Sequence, residues 1–260
     1  MNAHRKNAII VGVLFLATHV SSIVPRLLYG PYLADATRLG SGDDTAVLVG
    51  ALLEVVLALT VVGTAIALYP VAARQHAGLA VGYVALRTLE ASVILTGVIG
   101  ILTLVSVRAS VAGVTDDTSV APLIETLVAF QDFTFLVGPG FICGTNTVLM
   151  AWIMYKSGLV PRFIAVLGLI GGPLVFAVNV VKMFGYSEQL MPIAGLAVVP
   201  IFSWEILLAG YLIVKGFRPA ALARLGLADE PIEERPESLG AMAEASQHID
   251  HLQSKTGRGQ

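Results

Sequence analysis

The stretch Gly78–Val107, GLAVGYVALRTLEASVILTGVIGILTLVSV, decides the fold. It is apolar along its whole length except at Arg87 and Glu90 and a few hydroxyls. About 20 such residues, rising ~1.5 Å each, cross the ~30 Å hydrocarbon core of a bilayer, so the run reads as a membrane span. Arg87 and Glu90 stand at i and i+3, which puts both on one helix face, and Tyr83 and Gly97 continue that face. A charged side chain at the centre of a span costs roughly 2.5–3.5 kcal/mol on insertion scales. Each of the two therefore needs a partner, a cavity or a task.

The rest of the chain has the same character. Of its 260 residues, 56% are hydrophobic and 13% charged, with a mean hydropathy of +0.80, whereas soluble domains carry about 25% charged residues. The apolar runs predict an all-α polytopic membrane protein. It is a bundle of six transmembrane helices, at roughly 8–28, 46–69, 78–107, 123–155, 160–184 and 190–215. His4-Arg-Lys6 followed by Ala8–Val24 has the layout of a signal peptide, but apolar character continues to Leu28 and no small-residue cleavage site follows, so the run is read as a retained first span. Gly30-Pro31 and Gly40-Ser-Gly42-Asp43-Asp44 punctuate the first joint, Tyr69-Pro70 to His76 the second, Thr115–Ser119 the third and Lys156–Arg162 the fourth. Residues 1–218 form the transmembrane domain. Residues 219–260 are read as a mostly disordered cytoplasmic tail, with Pro219–Leu227 along the membrane surface.

Basic residues near the span ends set the orientation. Arg5, Lys6, Arg74, Lys156, Arg162, Lys215, Arg218 and Arg224 fall on one side. Arg26, Arg38, Arg108 and Lys182 fall on the other, with Asp35, Asp43, Asp44, Asp116 and Asp117. The first side is expected to be cytoplasmic, with both termini inside and the protein in the plasma (inner) membrane. The lipid bilayer is its partner. A net charge of −2 without a basic patch speaks against nucleic acid. Cys143 is the single cysteine, so an intrachain disulfide and multi-thiolate zinc sites are excluded.

The candidate site residues are the intramembrane charges: Glu54, Arg87, Glu90 and Glu205 near the middle of their spans, and Asp132 in the outer third of the fourth. One arginine cannot neutralise three glutamates. The count predicts a cross-helix cluster drawn from spans two, three and six, with at least one of Glu54, Glu90 and Glu205 protonated at rest. Gly50 and Ala58 flank Glu54 four residues either side, a narrow face suited to close packing. Gly138-Pro139-Gly140 predicts a kink or short unwinding of the fourth span, facing protein or a wet cavity. The pairs Gly78/Gly82, Gly140/Gly144 and Gly168/Gly172 suit close helix approach. His19, Asn179 and Cys143 read as packing residues.

No His-Glu-x-x-His, Gly-x-Ser-x-Gly or phosphate-binding loop occurs, and His248/His251 is a weak metal spacing. No cofactor, metal or catalytic residue is predicted, and an enzyme is not supported.

The segment from Ala151 through Lys156-Ser-Gly-Leu-Val-Pro161-Arg162 to Gly171 resembles the span–turn–span signature of a bacterial membrane family called domain of unknown function 4386. Pro200-Ile-Phe-Ser-Trp-Glu205 with Lys215-Gly-Phe217 resembles its last span, and Arg87-x-x-Glu90 its third. The resemblance covers about residues 8–218 and implies a six-helix bacterial inner-membrane protein. It implies no reaction, ligand or catalytic residue. Two function classes fit. In the first, a small transporter or proton-linked permease uses the midplane charges, with the Gly138–Gly140 break as gate or site. In the second, a structural or regulatory membrane protein uses its charges only to assemble helices. A membrane-embedded enzyme stands third.

Overall fold

With no water in hydrocarbon to bond the backbone, each apolar run closes its own i→i−4 hydrogen bonds. In the computed structural model, which describes residues 2–34, 44–111 and 121–227, the result is all-helical. The elements are α1 (Ala3–Ala34), α2 (Thr45–Val111), α3 (Ala121–Phe135), a π-helical segment (Leu136–Ile142), α4 (Cys143–Ser157), α5 (Arg162–Met183), α6 (Ser187–Val214) and the short α7 (Pro219–Arg224). No strand occurs among the described residues. Five helical stretches are long and apolar enough to cross a membrane: Ala3–Leu33, Thr45–Val111, Ala121–Ser157, Arg162–Met183 and Gly195–Val214. The chain is a multi-pass membrane protein. Several sequence features lie outside the described residues. These are the loop charges Asp35, Arg38, Asp43, Asp116 and Asp117, and the tail from residue 228 with His248 and His251.

The count of five differs from the expected six because α2 takes up two expected spans in one 67-residue run. The run is broken only at His76 (φ −162°, ψ 99°), which is ordinary extended backbone. The His76 Nδ1 accepts the Leu79 N–H at 3.2 Å, satisfying one of the orphan donors that open the second limb. The two limbs fold back on one another. Val47 and Ala51 share a cluster with Val98, Ile101 and Leu104, and Leu57, Ala58 and Val61 share one with Ala91 and Ile94. Pro70 does not end the first limb, as Tyr69-Pro70 had suggested. It sits inside the helix. A proline there loosens the carbonyls one turn earlier, and the Asn7 amide of α1 donates to one of them, Ala67 O, at 2.7 Å.

The α1 start, the α4–α5 turn and the α6 end meet at one end of the bundle. Arg5 donates to the carbonyls of Leu212 (2.9 Å), Ile213 (2.7 Å) and Val214 (3.1 Å), capping the last turn of α6, where helical donors run out. Arg218 N bonds Leu159 O at 2.9 Å and Arg224 Nη2 bonds Ser157 O at 3.1 Å. Ala221 and Leu222 of α7 are buried in the main core, so the compact unit runs on to Leu227, past the boundary read at residue 218.

Glycines bring α4, α5 and α6 together. A Cβ on Gly144 would lie 2.9 Å from Gly172 O, one on Gly172 2.6 Å from Gly144 O, and one on Gly171 2.4 Å from the Ile201 backbone N. At Gly82 the nearest atom, on Leu149, is 3.5 Å away, ordinary contact that does not require glycine. The Gly138-Pro139-Gly140 break takes the form of a π-helix. Cys143 N–H reaches back five residues to Gly138 O, a wider turn that accommodates the donor lost at Pro139 without unwinding the chain.

Candidate functional site

Arg87 is 3% exposed, and its head makes polar contacts to three side chains. Its Nη1 lies 3.3 Å from Glu90 Oε2, its Nη2 3.4 Å from Glu205 Oε1, and its Nε donates to Tyr83 Oη at 3.0 Å. Asn146 of α4 donates to the other side of the pair, Nδ2 to Glu90 Oε2 at 2.7 Å. Glu90 is also 3% exposed. The guanidinium fork thus holds two carboxylates from two helices, the geometry to which a planar five-donor group is suited.

Glu205 is the open member of the group, with its side chain 15% exposed against 4% for Arg87 and Glu90. Its second oxygen, Oε2, faces His19 Nε2 at 3.5 Å. The opposite ring nitrogen, His19 Nδ1, sits 2.8 Å from Phe15 O. A carbonyl only accepts, so Nδ1 carries a hydrogen and donates it, which fixes the tautomer. The imidazole also packs edge-on against Phe202, with ring centroids 4.8 Å apart.

This cluster forms the floor of a cavity of about 1000 Å³, lined by α1, α2, the α3–α4 region, α5 and α6. His19, Arg87, Glu90, Cys143 and Glu205 line its deep end, and Arg26, Asp132 and Lys182 line the end away from the Arg5 contacts. Between them the walls are mostly apolar, including Ile23, Ile94, Phe133, Val175 and Phe202. Below the floor, Phe15, Tyr83, Met150, Trp204 and Leu208 are fully buried and close the bundle. Arg26 is seated on the Phe135 ring, 3.6 Å from its centroid, a cation–π contact at the rim.

Two features give the vestibule its shape. Near the closed end α1 and α6 cross tightly, since a Cβ on Gly12 would meet Ile213 Cγ1 at 2.6 Å and Ala209 O at 2.7 Å. Towards the other end, cavity-lining Ile23, Leu27, Val198 and Phe202 are exposed, so the lip between these helices is apolar. Gly140 leaves room for Asn179, which a Cβ would meet at 2.8 Å. Asn179 donates to Val175 O at 2.7 Å and lines the same cavity.

Glu54 does not join Arg87. It is buried, and the Tyr29 hydroxyl of α1 donates to its Oε1. Gly50 makes this contact sterically feasible, because a Cβ there would lie 2.7 Å from Tyr29 Cδ1. A small cavity beside Glu54 also touches Gln131, Thr134 and Pro139, and the buried Gln131 Oε1 has no hydrogen-bond partner. The expected single cluster is therefore two sites. Arg87 gathers Glu90 and Glu205, Glu54 pairs with Tyr29, and Asp132 is exposed at the vestibule rim. His19 and Asn146 were missed as site residues. Both are mid-span polar groups in apolar runs, which is the signal that would have found them.

Among the described residues no group of three or more His, Cys, Asp or Glu is placed to hold a metal ion. No curated protein and no solved structure matches the chain. The family model described as Domain of unknown function (DUF4386) matches residues 10–216, a range that contains the floor, the walls and the rim of the vestibule. The chain belongs to the DUF4386 family.

Proposed function

We propose that this protein is a small proton-linked transporter of the plasma membrane. In this reading it crosses the bilayer six times, the two limbs of α2 counting separately, with both termini on the cytoplasmic side. The basic residues around Arg5, Lys156 and Arg218 support that orientation, which turns the vestibule outward. The observation that carries the reading is the cavity of about 1000 Å³ that leads from the Arg26/Lys182 rim to the Glu205 carboxylate. Its size suits a small organic molecule, whose pockets run about 300–1,000 Å³ with apolar walls and a few convergent polar groups. An ionisable group at the end of such a cavity, within the span, marks a substrate or proton path.

A second role attaches to the other half of the cluster. Arg87, Glu90, Tyr83 and Asn146 are nearly inaccessible and bond one another across α2 and α4. They hold helices together and fix the place of Glu205, so only the Glu205/His19 half works on ligand.

The test uses proteoliposomes loaded with a pH-sensitive dye and challenged with amphipathic amines, amino acids and organic acids in turn. At least one class changes lumenal pH through the native protein and not through Glu205→Gln, which keeps its size-exclusion profile. Native protein indistinguishable from empty liposomes across all classes refutes the reading.

A further inference from the structure

The His19–Glu205 contact holds a proton that the geometry makes countable. His19 Nδ1 is committed to Phe15 O at 2.8 Å, so in the neutral imidazole Nε2 carries only a lone pair. That lone pair would face Glu205 Oε2 at 3.5 Å, acceptor against acceptor. The contact is attractive only when one proton sits between them, on Nε2 or on the carboxyl. The charge count agrees. Without that proton the floor holds Arg87 against Glu90 and Glu205, one negative charge in excess in a site walled by apolar side chains. With it the floor is neutral wherever the proton resides. The charged and titratable groups beside Glu205 are Tyr83, Arg87 and Glu90 from α2 and Cys143 from α4, and Tyr83 and Cys143 leave this sum unchanged.

We infer that the vestibule takes a lipophilic organic cation, such as an amphipathic amine, which replaces the proton shared by His19 and Glu205. This rests on the transporter reading and names its substrate class. The cation restores neutrality at the floor, and the displaced proton leaves to the water of the vestibule, so one positive charge enters as one departs. Phe133 and Phe202 line the cavity, and aromatic rings attract a desolvated cation. The rim carries Arg26 and Lys182 against Asp132, which disfavours approach of a cation from water. The apolar lip of Ile23, Leu27, Val198 and Phe202 provides the entry instead, from the hydrocarbon side. Lipophilicity is thus selected at the lip and charge at the floor.

The experiment compares tetraphenylphosphonium with tetraphenylborate, which has the same shape and the opposite charge, on the full detergent-solubilised chain by calorimetry. The phosphonium affinity rises with pH while the pair carries its proton, by up to about tenfold per pH unit, because each cation bound displaces one proton. One proton is released per cation bound, measured by repeating the titration in buffers of different ionisation heat. Glu205→Gln abolishes both the pH dependence and the proton release. Glu125→Gln, on an exposed face of α3, leaves them unchanged. Phosphonium binding without pH dependence or proton release overturns the inference, and so does Glu205→Gln retaining both. If the borate binds and the phosphonium does not, the vestibule still takes a ligand and the charge assignment falls. If neither binds, the inference falls, and the transporter reading is decided separately by the proteoliposome assay across all ligand classes.

Discussion

Replacing Arg87 by Met tests whether the deep half of the cluster is structural. Arg87 makes three polar contacts, to Glu90 (3.3 Å), Glu205 (3.4 Å) and Tyr83 (3.0 Å), while 3% exposed. Met keeps much of the volume and removes all three. Glu90, 3% exposed, is left with the Asn146 amide and no counter-charge. Breaking a buried pair from one side costs about 3–5 kcal/mol. Glu90→Gln is milder. Arg87 keeps Glu205, and Asn146 Nδ2 can still donate to the Gln carbonyl, so about 1–3 kcal/mol is lost. In the double change Arg87→Met/Glu90→Gln the stranded carboxylate is gone, and the loss is smaller than the sum of the two by a coupling of about 1–3 kcal/mol. Reversible unfolding in mixed detergent micelles, followed by the fluorescence of the buried Trp204, gives the four stabilities. Additive losses would refute a structural pairing of Arg87 with Glu90.

Other expectations follow from single contacts. Gly171→Val places a side chain against the Ile201 backbone N, 2.4 Å from where its Cβ must sit. Backbone cannot rotate away, so α5 and α6 separate, and the variant loses at least about 1–3 kcal/mol, read as a lower melting temperature in detergent. Tyr29→Phe removes the hydroxyl that donates to buried Glu54 and lowers stability by about 1–3 kcal/mol. Adding Glu54→Leu to Tyr29→Phe recovers part of the loss in the same melting assay. Gly158 has φ +65° at the end of α4, so Gly158→Ala costs about 1–2 kcal/mol by the same measure, while proton release at the vestibule is unchanged.

The bundle was legible because hydrocarbon admits few solutions. Apolar runs of span length close as helices whatever their neighbours do, and the family resemblance on the Lys156–Arg162 turn pointed the same way. Arg87 and Glu90 were legible for the converse reason, since two charges in such a run stand out and their three-residue spacing fixes their face. Glu205 followed as a mid-span carboxylate in need of a cation. What could not be read was which helices touch. Glu54 has the same sequence appearance as Glu205, yet its partner Tyr29 comes from α1, and only the Gly50 gap shows where that ring goes. Tyr69-Pro70 looked like a helix end because proline removes a donor. Asn7, distant in sequence, bonds the Ala67 carbonyl nearby, and the real turn falls at His76. His19 read as packing because what sets it apart is that one ring nitrogen is engaged by Phe15 O and the other faces Glu205, a distinction that no spacing encodes.

Cys143 offers the most direct measurement of the vestibule, because it is the only cysteine in the chain and it lines the cavity beside the ion cluster. A small, membrane-impermeant thiosulfonate is applied to sealed vesicles from one face at a time, and the mass of the intact protein reports the modification. The account predicts modification from the Arg26/Lys182 face alone, slowed by tetraphenylphosphonium. Protection of Cys143 from that face, under conditions that modify the unfolded chain fully, or modification from the Arg5/Lys156 face, would contradict it.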